Sequence, residues 1–319
     1  MKLLSVVLLL LPLSLCLAEV VNDFTESCPG FFATPNHVVS PPTGFTGDRF
    51  RQICQTLNDT AEFATLYDTE NRIPVYSAYR FTGLMKCNRL DKWHTEPELE
   101  VGMQDQNQKT CLVNQAVNGD YKYSGYDRGH LAPVFHATSQ DCADATFTLT
   151  NAAPQIHLFN QKWSDYAEST VANVLNTDCI NVGLRAFVVT GVVPDNKKMN
   201  NRVQIPSHFW TAFCCLDNNN KTIRSSAYYG EKDESEKEKN ESVKEKDEFV
   251  VYRWSVKDME TELTQLYKIH VNNIPDFRFT LFAGKCYTET EPMEKQLVEK
   301  PAKRKKGTKY CKSNKRRKL

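Results

Sequence analysis

Ten cysteines dispersed between Cys28 and Cys311 constrain this chain more than any other feature. None forms a CxxC pair, so their spacing does not describe a zinc site. Oxidised, they would pin segments that are distant in sequence into one body. The sequence leaves the pairing open, with one restriction. Cys214 and Cys215 are adjacent and are expected to bond to different partners.

The N-terminus indicates an oxidising compartment. "MKLLSVVLLLLPLSLCLAEV" has one lysine, an apolar run and small residues, the pattern of a signal peptide over residues 1–18 cleaved after Ala18. The run falls short of the ~20 apolar residues a bilayer span needs, and Pro12 interrupts it. No later segment is long and apolar enough to span, so a secreted protein is expected. Sequons at Asn58, Asn220 and Asn240 fit secretion as glycan sites on surface loops.

Charge is distributed unevenly. Residues 300–319 carry 11 Lys and Arg and no acid, so the overall +1 leaves −10 for residues 1–299. Such a basic tail is expected to be disordered and to attract polyanions. Residues 231–248, "EKDESEKEKNESVKEKDE", have nothing to pack and read as a disordered insertion within one domain over 19–299.

Between these charged runs the chain alternates strand and helix signals without a βαβ repeat, which predicts an α+β fold. Residues 19–60 are turn-rich and predict an irregular start. Ile73–Gly83, Thr146–Asn151, Leu184–Pro194, His208–Leu216 and Phe277–Cys286 read as strands. Residues 85–120 read as a polar connection. Trp163, Tyr166, Ala167, Val171 and Val174 recur at helical spacing, predicting a helix over 158–176.

The chemistry concentrates in "YDRGHLAP", Tyr126–Pro133. A histidine after glycine suits a sharp backbone bend facing a cleft. Near neutral pH its imidazole is available as a base. Arg128 is a permanent planar cation suited to phosphate oxygens, and Asp127 is placed to orient its neighbours. The trio suits phosphodiester hydrolysis, in which water loses a proton and charge grows on phosphorus. A leaving alkoxide also calls for a cation, and Mg²⁺ fills that role while keeping several waters. Asn151, Asn160 and Glu168 in the next segment are its candidate ligands. On a regular helix Glu168 lies roughly 80° and ~12 Å from Asn160. One ion would therefore sit on Asn160, with Glu168 holding its waters.

"YDRGHLAP" followed by "TNAAPQ", "FNQKW" and Glu168 resembles the DNA/RNA non-specific endonucleases of the ββα-metal (His–metal finger) superfamily. The resemblance spans roughly residues 50–290. With the leader and "PVYSAYRFTG", it lies close to the vertebrate endonuclease domain-containing 1 group. It implies a ββα-metal fold with a central, mostly antiparallel sheet flanked by helices. His130 would be the general base and Asn160 the one direct protein ligand of Mg²⁺, with Mn²⁺ as a substitute. Glu168 would position water, Arg128 would contact phosphate and Arg80 would stabilise the phosphorane, while Asn151 would shape the site. DNA and RNA would both be substrates, with little sequence preference and 5′-phosphate products. Ala172 departs from the pattern, since some members carry arginine four residues after the glutamate. That departure motivates the alternative of a secreted nucleic-acid-binding or interaction module with the fold and little catalysis. A serine hydrolase is disfavoured by the lack of a G-x-S-x-G elbow.

Overall fold

The computed structural model of the chain describes residues 19–90, 92–100, 112–232, 249–270, 276–288, 294–299 and 309–310. The leader, Asn240, most of the 231–248 insertion, Cys111, Cys311 and nearly all of the basic tail lie outside the described residues.

The strands, in chain order, are β1 (Glu19–Val21), β2 (Phe50–Leu57), β3 (Thr60–Asp68), β4 (Ile73–Phe81) and β5 (Met85–Lys86). They continue with β6 (Tyr126–His130), β7 (Ala152–Ile156), β8 (Arg185–Met199), β9 (Val203–Leu216) and β10 (Thr222–Lys232). The last are β11 (Phe249–Trp254), β12 (Gln296–Leu297) and β13 (Lys309–Tyr310). The helices are α1 (Phe24–Ser27), α2 (Asn118–Tyr121), α3 (Gln140–Ala145), α4 (His157–Trp163), α5 (Ser169–Asp178) and α6 (Val256–Lys268).

Nine strands form one sheet in the order β1-β2-β3-β4-β8-β9-β10-β11-β12, and its pairs are antiparallel. This is the expected α+β architecture. The β2–β3 hairpin turns on Asn58 and Asp59, both at positive φ, the two-residue geometry that matches strand twist. Asn58 is exposed there, whereas the Asn220 side chain is held by Thr34, Arg185 and His37.

Each sheet face carries its own core. On one face Trp210, Tyr229, Val75 and Tyr76 pack against α6 and the segment 277–286. α6 presents Val256, Met259, Leu263 and Tyr267 inward, an i, i+3, i+7, i+11 stripe. Tyr267 Oη accepts from Trp210 Nε1 at 2.9 Å and donates to Val192 O at 2.7 Å. On the other face Tyr79, Phe81, Val188 and Phe213 pack against Trp163, Val171 and Leu175. Successive side chains on a strand point to opposite faces, so Cys214 and Cys215 diverge. Cys214 bonds Cys286 on the α6 side and Cys215 bonds Cys179 at the end of α5. Cys28–Cys54 ties the N-terminal segment to β2.

Several expected elements differ. Residues 50–57 form a strand within the stretch read as irregular. Thr146–Asn151 is not a strand: Leu149–Asn151 makes a 3-10 turn, and Thr148 pairs only as an isolated bridge with His94. Phe277–Cys286 alternates buried Phe277, Phe279 and Leu281 with polar residues because it packs on α6, yet among the described residues it pairs with no sheet strand, and its bridge Thr43↔Thr280 lies outside the sheet. The helix read over 158–176 is α4, a π-turn over Ser164–Glu168, and α5. Its extra residue per turn breaks the regular-helix offset expected between Asn160 and Glu168.

Candidate active site

β6 and β7 form a separate antiparallel ribbon in which His130 pairs with Ala152 and Tyr126 with Ile156. α4 follows β7 directly and packs against β6, completing a ββα unit on the sheet face that holds Tyr79 and Phe81. The sharp bend expected at Gly129 is absent: the residue lies in regular strand. Glycine is required for a different reason. A Cβ there would lie 2.3 Å from Gln155 Oε1, so the Gln155 side chain occupies the space that residue 129 leaves open.

His130 is half-buried between Trp93, at 4.7 Å between ring centroids, and Phe147, at 5.0 Å. Its Nε2 is shielded and has no protein partner among the described residues. Burial, reinforced by the Arg89 charge, pushes the imidazole down to about 3. It is therefore neutral across the physiological range, with one nitrogen uncommitted. Arg128 lies over Trp93 and Tyr121, with its carbon 5.6 and 5.1 Å from the ring centroids, and donates to Asn118 Oδ1 at 3.0 Å. Two aromatic faces and one amide thus aim the guanidinium.

Asn160 lies in the middle of α4, not at its N-cap, which is Ile156. Its Nδ2 donates to Asp127 Oδ2 at 3.0 Å, and the same carboxylate oxygen meets His157 Nδ1 at 2.8 Å. Asp127 orients Asn160, as its position in the motif suggested. Glu168 closes the π-turn. Burial pushes its carboxyl up to about 7, against the Ser164 hydrogen bond and the Arg89 charge. Its carbonyl is anchored by His136 Nε2 at 2.9 Å, and His136 Nδ1 meets Tyr79 Oη at 2.8 Å. Burial pushes His136 down to about 4, so a neutral ring can accept from the tyrosine and donate to Glu168 O. The chain Tyr79–His136–Glu168 fixes the π-turn to β4.

Of the two remaining residues expected at the site, one is turned away from it and one builds the loop beside it. Ser77 and Tyr79 on β4 face the ββα unit, bonding Asn151 and His136. Arg80 alternates with them, on the face of Tyr76 and Ala78 in the opposite core. The strand parity that brings Ser77 and Tyr79 in turns Arg80 away. Asn151 is fully buried, and its amide is spent on Ser77, Ala132 and Thr146, so it builds the loop after His130 and leaves no group for substrate.

A family model described as DNA/RNA non-specific endonuclease matches residues 45–276. The chain belongs to this family. Among its relatives are the human endonuclease domain-containing 1 protein, 34% identical over 199 residues, covering 59% of this chain and 38% of that one. The mouse protein of the same name is 32% identical over 187 residues, covering 55% and 37%. Human mitochondrial endonuclease G is 32% identical over 106 residues, covering 30% and 36%. The chain spans less than two fifths of the length of these curated relatives.

Members of this non-specific endonuclease family imply a divalent cation, and the donor set here fits one kind only. Among the described residues no group of three or more His, Cys, Asp or Glu could hold a metal. With Nδ2 committed to Asp127, Asn160 keeps its carbonyl oxygen, a hard donor, free of protein hydrogen bonds among the described residues. A single carbonyl suits Mg²⁺, which retains its waters, and not a soft or fully dehydrated ion.

The polar connection over 85–120 contributes what sequence reasoning missed. Arg89 is exposed, its guanidinium carbon 5.2 Å from the Phe147 centroid, and its charge acts on both His130 and Glu168. Trp93 separates Arg128 from His130. The available signal was a tryptophan and an arginine in a stretch otherwise read as solvated. Ala172 is fully buried in α5, in the core against the sheet.

Proposed function

We propose that this protein is a secreted, Mg²⁺-dependent endonuclease that hydrolyses phosphodiester bonds of DNA and RNA with little sequence preference. One observation carries the reading. A neutral imidazole whose Nε2 has no partner among the described residues shares the field of one arginine with a half-buried carboxyl, beside a second, aromatic-clamped arginine.

In this reading His130 Nε2 takes the proton from water as its oxygen attacks phosphorus. Arg128 and Arg89 hold the non-bridging oxygens and meet the charge that grows on them. Arg89, from the connection, assumes the role that Arg80 cannot reach. Asn160 would hold a hydrated Mg²⁺, or Mn²⁺ in its place, supplying the Lewis acidity that a leaving alkoxide needs. Glu168 supplies an acceptor for hydration waters once ionised. Asp127 and His136 are positioning residues, for Asn160 and Glu168 respectively.

Secretion rests on the leader over residues 1–18, with the disulfides as support. We assign the basic tail to polyanion attraction. Its described piece, β13, pairs in parallel with β5, three residues before Arg89.

The test is incubation of purified protein with plasmid DNA and with RNA, in Mg²⁺ and then in EDTA. Metal-dependent cleavage lost in His130→Ala, with thermal unfolding unchanged, supports the reading. Correctly folded wild type that cuts neither substrate refutes it.

A further inference from the structure

Cys87 is disulfide-bonded, and its partner lies outside the described residues. Cys28, Cys54, Cys179, Cys214, Cys215 and Cys286 pair among themselves, and Cys142 is a free, buried thiol. Past the leader, Cys111 and Cys311 are the cysteines left to bond it.

Register and position both favour Cys311. β13 pairs with β5 in parallel, Lys309 with Met85 and Tyr310 with Lys86. Continued by one residue, the ladder sets Cys311 beside Cys87. Residues paired in this way lie about 4.8 Å apart and point to the same face, within the roughly 4.4–6.8 Å between Cα atoms that a disulfide spans. Cys111 is drawn elsewhere. The carbonyls of Leu112 and Val113, which follow it, accept from Arg202 and Arg72 at the β8–β9 and β3–β4 turns. Cys87 instead packs against the cluster of Ala137, Cys142 and Ala143, and the Cys142 thiol hydrogen-bonds Glu62 near the other end of β3.

The bond would anchor charge. Lys312, Lys315, Arg316, Arg317 and Lys318 follow Cys311. Arg89, whose charge acts on His130 and Glu168, follows Cys87 by two residues. Anchored only at Glu299, Arg316 ranges over about 60 Å of extended chain; anchored at Cys311, over about 18 Å. The shorter tether raises the effective concentration of these cations at the catalytic face.

We propose that a Cys87–Cys311 disulfide staples the polycationic run to the catalytic face, where it grips nucleic-acid phosphates flanking those at Arg89. Its formation is an ordinary exchange. The two thiols lose two protons and two electrons to the disulfide of a thiol–disulfide oxidase, which is reduced to two thiols as the Sγ–Sγ bond forms. The bond stands on register and position; its use deepens the nuclease reading and rests on it.

Peptide mapping of the unreduced, alkylated full chain tests the bond. Trypsin should release Cys87–Arg89 linked to Tyr310–Lys312. Cys87 linked to the Cys111 peptide, or Cys311 recovered as an alkylated thiol, overturns the proposal. Fluorescence anisotropy in EDTA tests the grip on a labelled single-stranded octamer. Lys315→Gln, Arg316→Gln, Arg317→Gln and Lys318→Gln together should lower the slope of log affinity against log salt by about 3. Cys87→Ser with Cys311→Ser keeps every charge and should weaken binding about tenfold at low salt. Wild-type binding in either folded variant overturns the grip. The glutamine variant leaves the bond intact, so it decides should the serine pair unfold. A chain that cuts nucleic acid with Cys87 bonded elsewhere loses only the staple. One that carries the bond and grips the octamer but cuts nothing loses only the nuclease reading.

Discussion

The acid limb of the activity profile is the most demanding consequence of this site. An ordinary imidazole base would lose activity near pH 6.5, as it protonates. Here burial and Arg89 hold His130 down to about 3, so it stays neutral throughout mild acid. Burial raises Glu168 to about 7 instead. Only its ionised form accepts hydrogen bonds from hydration waters at both oxygens. Without metal, Glu168 is about 10% ionised at pH 6 and about 1% at pH 5. At sub-saturating Mg²⁺ the cleavage rate should therefore fall about tenfold per pH unit below 7. A nearby cation favours the carboxylate, so raising Mg²⁺ should move the limb to lower pH. Glu168→Gln should lower the rate and flatten the limb that Glu168 sets, since burial keeps His130 neutral down to about 3. Initial rates on supercoiled plasmid, at several Mg²⁺ concentrations and pH values, give the whole surface. A limb fixed near 6.5, indifferent to Mg²⁺ and retained in Glu168→Gln, would show that His130 governs it and that the burial argument is wrong.

Three other outcomes follow from specific contacts. Asp127→Ala releases Asn160 Nδ2 and should weaken divalent-ion binding by about 10–100-fold, read by calorimetry with Mn²⁺ while thermal unfolding shifts little. Gly129→Ala drives a Cβ into Gln155 and should destabilise the fold by about 1–3 kcal/mol; Gly30→Ala, which meets nothing within 4 Å, should change urea stability by under about 0.5 kcal/mol. Glu62, Glu168 and Glu260 are raised to about 7, so each adds stability as pH falls from 7 towards the ordinary carboxyl range. His130 and His136 are lowered to about 3 and 4, so each loses stability as pH falls from 6.5 towards those values. Glu62→Gln should therefore lose part of the gain between pH 7 and 5, and a thermal-melt series in which it parallels wild type would contradict that burial effect.

Local patterns were legible where one residue run carried its own constraint. The apolar run at Leu184–Pro194 became the inner part of β8, and Ile73–Gly83 became β4. The divergence of Cys214 and Cys215 follows from strand alternation alone. Patterns misled where alternation had another cause. Thr146–Asn151 alternates because Thr148 and Thr150 turn into a buried polar network with Glu96, and Phe277–Cys286 because it packs on α6. β2 and β3 carry enough polar residues to hide among turns, although their partners bury Ile53, Phe63 and Tyr67. The π-turn left no trace in the spacing of Trp163, Ala167 and Val171, since those residues meet the sheet either way.

Arg80 and Arg89 show why the site was only half legible. Motif residues on β6 and α4 come with a local frame, because Asp127, Arg128, His130 and Asn160 belong to one ββα unit. An arginine on β4 has no such frame: whether it faces catalysis depends on which sheet face the unit covers, and that is decided by Ser77, Tyr79 and Phe81 packing against it. Arg89 escapes the difficulty by sitting on neither sheet nor ribbon. From a connection that packs Trp93 onto Phe147, its charge acts on His130 and on the half-buried Glu168 carboxyl together. A single cation in that position lowers both groups at once, which favours a neutral imidazole and an ionised glutamate in the same pH range. Ala172, buried in α5, packs the helix, and in the proposed mechanism the charge the chemistry calls for comes from the loop instead.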